Sequence, residues 1–314
     1  MQLRKGIVIK STGKEYIIRS GRDFYTCILR GRMRLKNSRS TNPVAVGDYV
    51  LFKEDDEGRG IIQTVEKRKN HLLRKSTNLS RKSQVIAANI DQAVLIVTLA
   101  YPKTTRLFID RFLVSAKSFG IPVVMIFNKI DLYGPTEEEE LEELNAIYAP
   151  LVKSIYSMSA QDPNEKSRLQ DVLKDKTSVL AGHSGVGKST LINLADNSLD
   201  LKTASISETH NTGKHTTSYA EMHSLGFGGQ VIDTPGLRAF GIVHIEKEEL
   251  YHFFPEIFET AQNCKYYNCL HTEEPGCAVK EAVINGDIAE SRYMSYLNLF
   301  FDDQSKHREA DYGY

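Results

Sequence analysis

Eight consecutive residues have the composition and spacing of a phosphate-binding loop. Residues 182–189, GHSGVGKS, match G-x-x-x-x-G-K-[ST] and lie between a predicted strand at 178–181 and a predicted helix at 189–195. Glycines let backbone N–H groups point at phosphate oxygens, while the lysine binds the β- and γ-phosphates and the following hydroxyl binds Mg²⁺. The pattern predicts a nucleoside triphosphate site made by Gly182, His183, Ser184, Gly185, Val186, Gly187, Lys188, Ser189 and Thr190, with Lys188 also a catalytic residue.

A second motif indicates which base is bound. Asn128, Lys129, Ile130 and Asp131 follow an apolar run at 123–127 that has the character of a buried strand. A carboxylate at Asp131 can accept hydrogen bonds from N1–H and the 2-amino group of guanine, whereas adenine offers no such pair and would leave the charge unpaired. The motif therefore predicts GTP and GDP as ligands. Behind a strand predicted at 154–157, the pair formed by Ser159 and Ala160 is placed to support the guanine.

Two further segments fit the sensing of a γ-phosphate. Asp233 begins the sequence DTPG directly after a predicted strand at 231–232; its carboxylate can hold Mg²⁺ through water, and the Gly236 N–H can contact the γ-phosphate. The polar loop 209–217 is long enough to be a switch loop whose threonine completes the metal shell. The magnesium ligands predicted from these segments are Ser189, Asp233, and Thr216 or Thr217.

Three of the four cysteines crowd into 14 residues together with one histidine. The spacing is C-x4-C-x-H-x5-C, contributed by Cys264, Cys269, His271 and Cys277. Three thiolates and one imidazole make a closed tetrahedral set, which is typical of one structural zinc ion and less typical of an iron–sulfur cluster. Cys27 lies far away in a strand pattern, and we expect it to be a core residue.

The zero net charge of the 314-residue chain conceals a strong asymmetry. Residues 1–82 hold 20 Lys and Arg against 8 Asp and Glu, whereas residues 83–314 hold 20 against 32. The basic segment 1–82, called the basic head below, favours a nucleic-acid partner, since clustered cations release counterions from phosphate backbones. The alternative is a basic surface that contacts only solvent. The RNA-binding candidates are Arg30, Arg32, Arg34, Lys36 and Arg39.

The pattern of apolar residues predicts three domains. Residues 1–69 have about five short strands, which fit a small all-β barrel of OB type, although strand count alone does not separate it from an SH3-like barrel. Residues 70–243 alternate strands and helices, the pattern of a doubly wound, mainly parallel α/β sheet; one of their helices is predicted to open at Thr136 with Glu139 completing a capping box. Residues 244–314 are predicted to be helical at 246–262 and 281–300, around the cysteine cluster.

Composition excludes several classes of protein. Hydrophobic residues make up 41% and charged residues 25% of the chain, as in folded globular proteins. No run approaches 18 apolar residues, and the N-terminus lacks the apolar core of a signal peptide, so we expect a cytoplasmic protein without membrane contact. A monomer is expected.

The order of the motifs is unusual. In ordinary small GTPases the phosphate-binding loop comes first and N-K-x-D comes near the end. Here N-K-x-D at 128 and Ser-Ala at 159 precede the loop at 182, and DTPG comes last. This order is that of a circularly permuted P-loop GTPase domain.

The basic barrel, the permuted motifs and the cysteine-rich helical tail together resemble the small ribosomal subunit biogenesis GTPase family, RsgA (also called YjeQ), over essentially the whole chain. The sequences ANIDQ at 88–92 and GKHTT at 213–217 are also similar to that family. The resemblance implies a bacterial GTPase that binds the small ribosomal subunit and its rRNA late in maturation and is stimulated by the ribosome. It also makes His215 the leading candidate to position the attacking water, since Leu237 stands where many GTPases have a glutamine.

Two other functions are compatible with parts of the sequence. A metabolic or signalling GTPase would not need the basic head and would be indifferent to ribosomes and salt. An RNA-binding scaffold with a relic nucleotide site would be expected to have a broken phosphate loop or N-K-x-D, and both motifs are intact here.

Overall fold

The computed structural model describes residues 3–29, 43–55, 58–75, 83–199, 220–233 and 245–302. Contacts divide the chain into two units. The first unit comprises Met1–Thr104 and Phe119–Val243, and the second comprises Thr105–Ser118 and His244–Tyr314. The predicted division of the first unit at residue 69 stays a prediction.

The first unit begins with the predicted five-stranded barrel, whose apolar core includes Cys27. Strand β1 pairs with both β2 and β4, which closes the order β1-β2-β3-β5-β4 on itself, and β3 runs parallel to β5. This arrangement is that of an OB-like barrel. Burial raises the pKa of the Cys27 thiol to about 12, so the residue is an inert core side chain, as predicted. The strands are β1 (Arg4–Ser11), β2 (Tyr16–Ser20), β3 (Asp23–Leu29), β4 (Tyr49–Glu54) and β5 (Gly60–Val65).

The α/β part of the first unit forms a sheet in the order β10-β9-β8-β11-β13-β12. All neighbouring strands are parallel except β12, which is antiparallel to β13. Strands β8 and β9 are buried at every position, as their continuous apolar runs predict. The strands are β8 (Gln92–Val97), β9 (Val123–Phe127), β10 (Ser154–Ser157), β11 (Thr177–Ala181), β12 (Glu221–Ser224) and β13 (Gln230–Asp233).

The barrel and the α/β sheet are joined within the first unit. Strands β1 and β12 pair antiparallel at Lys10 and Glu221, whose side chains also form an ion pair of 2.9 Å. A small hairpin sheet, β6 (His71–Lys75) and β7 (Ser83–Ala88), leads from one part to the other. Just after it, the Asn89 side chain donates to the Gly47 carbonyl at 2.9 Å. Barrel and α/β sheet therefore share one continuous eleven-stranded sheet.

In the described part of the first unit, three helices follow the parallel strands β9, β10 and β11 in the chain. They are α2 (Pro135–Tyr148), α3 (Lys166–Leu173) and α4 (Lys188–Ala195), with 3₁₀ turns at Ile130–Leu132 and Pro163–Glu165. The capping box predicted at Thr136 and Glu139 is two residues out of register. The cap is Gly134, whose N–H donates to Glu137 at 3.0 Å, because Pro135 is suited to the first helical position.

The second unit is helical. It contains α1 (Arg106–Ser118), a 3₁₀ helix (Lys247–Phe253), α5 (Pro255–Ala261), α6 (Ala278–Asn285) and α7 (Glu290–Phe301). The predicted continuous helix 246–262 is wrong, since Pro255 disfavours a helical conformation at Phe254, which is extended. The predicted helix 281–300 is also interrupted, by Gly286 in the left-handed conformation at the end of α6.

A buried ion triad holds three elements of the second unit together. Arg292 of α7 is 2% exposed and lies 2.6 Å from both Asp110 of α1 and Glu256 of α5. Its guanidinium also lies over the Phe254 ring, 4.6 Å from the centroid. Helix α1 thereby packs with the C-terminal helices, although the chain enters it between β8 and β9.

Within the part of the chain that the structure describes, none of the helices combines the length and hydrophobicity that crossing a bilayer requires.

The triad predicts an unequal response to two identical substitutions. Asp110→Asn should lower the free energy of unfolding by about 3 kcal/mol, because it removes a charge partner from a fully buried guanidinium. Asp302→Asn, which breaks the more exposed pair with Arg111, should cost less than about 1 kcal/mol. Urea unfolding followed by circular dichroism measures both, and equal losses would contradict a special role for the buried triad.

Candidate functional site

The residues predicted to bind nucleotide lie at one edge of the parallel sheet. Asn128 follows β9, Ser159 follows β10, Gly182 follows β11 and Asp233 ends β13. In open α/β sheets the carboxyl ends of parallel strands form the ligand-binding edge. The topology therefore brings together motifs that are more than 100 residues apart in the chain.

The phosphate loop has the backbone geometry that its glycines predict. Gly182, Gly185 and Gly187 have φ values of 142°, 83° and 94°, all in the region that favours glycine. The Lys188 ammonium donates to the carbonyls of Gly182 and His183 at 2.8 and 2.7 Å. The lysine is thus held over the loop at the N-terminus of α4, where backbone N–H groups and the helix dipole favour phosphate.

The side chain of Asn128 connects three loops of the site. It is fully buried, and its Nδ2 donates to the Val186 carbonyl of the phosphate loop at 2.7 Å. Its Oδ1 accepts from the Ala160 N–H at 3.0 Å. A Cβ atom on Gly187 would lie 2.3 Å from Asn128 Nδ2, so a glycine is required there for the two loops to approach.

Asp131 lies close to the pair that was predicted to support the guanine. Its Oδ1 accepts a hydrogen bond from the Ser159 hydroxyl, which in turn accepts from the Gln161 N–H at 3.1 Å. Asp131 is an exposed residue, so its carboxylate is accessible to a ligand. One carboxylate oxygen is therefore oriented by Ser159.

A cavity of about 290 Å³ opens between these loops. It combines residues of the N-K-I-D segment, the Ser-Ala pair, the phosphate loop and the start of α4. Leu132 and Gln161 also line it and were missed because neither carries a motif, although each directly follows one. The lining residues are Asn128, Lys129, Asp131, Leu132, Ser159, Ala160, Gln161, Gly187 and Thr190.

The loop 98–104, which follows β8, was also missed. Lys129 has a left-handed backbone, with φ of 65°, and its Nζ donates to the Tyr101 carbonyl at 2.6 Å. Pro102 lies next to the phosphate loop, 3.4 Å from where a Cβ of Gly185 would be. This loop has no motif, and only its position after a buried parallel strand could have indicated a role.

Helix α4 is supported at its far end by a buried carboxylate. Asp196 accepts from the Gly226 N–H at 2.6 Å and from the N–H and hydroxyl of Ser198. The hydrogen bond from Gly226 lowers the pKa of Asp196, so the carboxylate is charged at neutral pH. Since Gly226 belongs to the β12–β13 connection, the phosphate-loop helix is tied to the strand that ends in Asp233.

Several predicted residues lie outside the described part of the chain. Of the predicted magnesium ligands, Ser189 is the second residue of α4 and Asp233 ends β13, and the parallel strands β11 and β13 are neighbours. The predicted residues outside the described ranges are Arg30, Arg32, Arg34, Lys36, Arg39, His215, Thr216, Thr217 and Gly236.

In the second unit, the four predicted metal ligands come together. The ligand atoms of Cys264, Cys269, His271 and Cys277 all lie within 4.8 Å of one another, and the three last residues are buried. The His271 Nδ1 faces the sulfurs, at 3.6 Å from Cys264 and 3.5 Å from Cys277. These residues could hold a metal ion.

Neighbouring side chains fix the backbone of this cluster. The hydroxyls of Tyr293 and Tyr296 donate to the carbonyls of His271 and Leu270 at 2.7 and 2.6 Å. Glu274 accepts from the Leu270 and Thr272 N–H groups, each at 2.9 Å. Helix α7, which carries both tyrosines, therefore holds the loop that carries His271.

Comparison with protein families gives two matches. The family described as "RsgA GTPase" matches residues 65–243. The family described as "RsgA N-terminal domain" matches residues 5–62.

Named relatives match over nearly the whole chain. A protein of Bacteroides fragilis (strain YCH46) called "Small ribosomal subunit biogenesis GTPase RsgA" is 46% identical over 308 residues, covering 98% of this chain and 99% of its own. A protein of the same name from Christiangramia forsetii is 44% identical over 312 residues, with the same coverage.

Solved structures match as well. The crystal structure of YjeQ from Thermotoga maritima is 37% identical, with a TM-score of 0.77, and covers 96% of this chain and 98% of its own. YloQ, a circularly permuted GTPase, is 28% identical, with a TM-score of 0.72, covering 97% and 96%. The likeness confirms the permuted architecture predicted from motif order.

The contact between Gly187 and Asn128 predicts a sharp effect of one methyl group. Gly187→Ala should weaken GDP binding at least about tenfold more than Gly185→Ala, a difference of about 1.4 kcal/mol. Both substitutions strain a left-handed backbone, but only the first drives a Cβ into the amide of Asn128. Calorimetric titration measures both, and similar losses would show that the contact is unimportant.

Proposed function

The chain belongs to the RsgA GTPase family, and from that premise we propose that it hydrolyses GTP while bound to the small ribosomal subunit during late maturation. The relatives named above supply the partner, since their names describe small ribosomal subunit biogenesis. GTP and GDP are the proposed ligands of the cavity beside Asp131, and the protein is proposed to act as a cytoplasmic monomer.

The observation that carries the nucleotide assignment is the position of Asn128. Its amide bridges the phosphate loop and the Ser-Ala pair, so phosphate binding and base binding share one support. In this arrangement, Asp131 reads guanine through N1–H and the 2-amino group. Adenine would offer the carboxylate neither of these two donors, and a charged group that loses its hydrogen bonds to the base costs more than the loss of a neutral contact.

Hydrolysis of GTP depends on positioning and on stabilising charge on the γ-phosphate. Lys188, at the N-terminus of α4, is proposed to exchange its loop carbonyls for phosphate oxygens. The hydroxyl of Ser189 and the carboxylate of Asp233 are hard oxygen donors that suit Mg²⁺, with Thr216 or Thr217 completing the shell. The ion would neutralise phosphate charge.

The attacking water needs a positioning group. Leu237 cannot hydrogen-bond, so this chain lacks a glutamine after DTPG. We propose that His215 takes that role on the ribosome, because an imidazole can orient water or accept a proton near neutral pH.

The barrel is the proposed RNA-binding part. Its basic excess favours a phosphate backbone, and OB-like barrels commonly bind single-stranded nucleic acid. The proposed contacts are Arg30, Arg32, Arg34, Lys36 and Arg39.

The metal of the second unit is proposed to be one structural zinc ion. In a tetrahedron with zinc–sulfur bonds of about 2.3 Å and zinc–nitrogen bonds of about 2.0–2.1 Å, the S···N and S···S edges are about 3.6 Å and about 3.8 Å. The distances here are 3.6 Å from Cys264 and 3.5 Å from Cys277 to His271, and 3.9 Å between those two sulfurs. Four protein ligands leave no open position, so the zinc would stabilise the fold.

The guanine assignment predicts a change of base preference. Asp131→Asn should weaken GDP binding and favour XDP, because the 2-oxo group of xanthine accepts where the 2-amino group of guanine donates. Competition binding with both nucleotides measures this. A GDP affinity within about twofold of wild type, or about 0.4 kcal/mol, would refute the role of Asp131.

The ribosomal role predicts that purified small subunits accelerate GTP hydrolysis by the wild-type protein. His215→Ala should abolish most of that stimulation, while GTP affinity and subunit binding stay normal, and His210→Ala in the same loop serves as the matched control. Phosphate release measures the rates. No stimulation of the wild type would refute the ribosomal role, whereas normal stimulation of His215→Ala would refute only the role of the histidine.

The zinc assignment predicts one zinc ion per purified chain by metal analysis. Cys269→Ser should lose the metal and destabilise the second unit, while Cys27→Ala should keep it. Iron in place of zinc, or no metal in the wild type, would contradict the assignment.

A further inference from the structure

A tyrosine just beyond the N-K-I-D segment makes two hydrogen bonds through one hydroxyl. Tyr133 follows the 3₁₀ turn Ile130–Leu132, and its hydroxyl donates to the Asn128 carbonyl at 2.9 Å. The same oxygen accepts from the Leu99 N–H at 3.0 Å. The hydroxyl therefore joins the loop after β8 to the loop after β9.

Both backbone partners lie where water cannot easily replace the hydroxyl. Asn128 is fully buried and Leu99 is 2% exposed. Burial also raises the pKa of Tyr133 to about 12, so its proton remains available for donation at neutral pH. Removing the hydroxyl would leave a buried N–H and a buried carbonyl short of partners, which is costly.

The hydrogen bond to Asn128 closes the segment that carries Asp131. Within residues 128–133, the Leu132 N–H donates to the Lys129 carbonyl at 2.9 Å, and the Tyr133 N–H donates to the Ile130 carbonyl at 3.1 Å. The hydrogen bond from the Tyr133 hydroxyl to the Asn128 carbonyl then joins the last residue of the segment to the first. Because hydrogen bonds join both ends of the segment, they restrict the position of the Asp131 backbone relative to Asn128.

The segment is also anchored from outside at two points. Leu99 and Tyr101 belong to the same loop, and the Tyr101 carbonyl accepts from the Lys129 ammonium at 2.6 Å. The loop 98–104 thus holds the segment through the Tyr133 hydroxyl at one end and the Lys129 side chain at the other.

We propose that Tyr133 is a positioning residue for guanine recognition, whose hydroxyl sets the placement of the Asp131 carboxylate against the edge of the base. The inference rests on the proposed function, in which Asp131 binds guanine. Tyr133 would act through the loop and would not touch the nucleotide.

Comparing the affinities for GDP and IDP, whose bases are guanine and hypoxanthine, distinguishes this positioning role from a general effect on the nucleotide site. Both bases offer N1–H, but only guanine has the 2-amino group, so GDP depends on the carboxylate more than IDP does. A misplaced carboxylate should therefore weaken GDP more than IDP. Loss of stability in the whole unit, or damage to the phosphate loop, should weaken both nucleotides alike.

Tyr133→Phe in the full-length protein tests the proposal. Calorimetric titration should show GDP affinity reduced about tenfold and IDP affinity reduced less than about twofold, because only guanine has the 2-amino group that a displaced Asp131 carboxylate would no longer meet. The melting temperature of each variant is measured alongside. Tyr156→Phe, which removes a hydroxyl from β10 of the same unit, should leave both affinities unchanged.

Two results would overturn the inference. Unchanged GDP affinity in Tyr133→Phe would show that the hydroxyl does not position Asp131, and equal losses for GDP and IDP would show that it only stabilises the fold. A wild-type protein that binds GDP and IDP equally would overturn the guanine assignment of Asp131 itself, which is a separate failure.

Discussion

The nucleotide site depends on one buried amide. Asn128 sits at the end of β9 with no exposure, and its side chain can satisfy its polar atoms only if the phosphate loop and the Ser-Ala pair are both in place. A buried amide left unpaired is expensive, so these loops are stable together rather than separately. The absence of a side chain at Gly187 is part of the same constraint, because any Cβ there would displace the amide. The loops proposed to recognise the base and to bind the phosphates are therefore held by the same side chain.

Circular permutation preserves this support while changing what is attached to it. The carboxyl ends of the parallel strands still lie at one edge of the sheet. The motifs therefore come together in the same site although they follow one another in a different order along the chain. The new order places the barrel before the α/β sheet, and β1 pairs with β12 to make the two sheets continuous. Since His215 precedes β12 by six residues in the sequence, the proposed RNA-binding barrel is paired with the strand that follows the proposed catalytic residue in the chain. This continuity gives a physical route by which RNA contact could influence hydrolysis.

Much of the fold and of the candidate site could be predicted from the sequence, because each motif requires a particular local backbone geometry. Residue type and spacing predicted the phosphate loop, the N-K-I-D segment and the cluster of three cysteines and one histidine that could hold a metal ion. Continuous apolar runs predicted β8 and β9. Predictions failed where one residue overrides a pattern. Pro135 moved a helix cap, and Pro255 and Gly286 broke helices that apolar spacing had joined. The contacts of Tyr133 and of loop 98–104 could not be predicted, because hydrogen bonds between distant loops leave no local pattern.

Amide hydrogen exchange of Asn128→Ala, compared with the wild type, tests the shared support most directly. Loss of the amide removes partners from Val186 and Ala160, so exchange should accelerate both at residues 158–162 and at residues 182–190, while β9 remains protected. Both segments should change together, although they are separated in the chain. Faster exchange confined to residues 128–133 would contradict the account, because it would mean that the phosphate loop and the Ser-Ala pair hold their positions without Asn128.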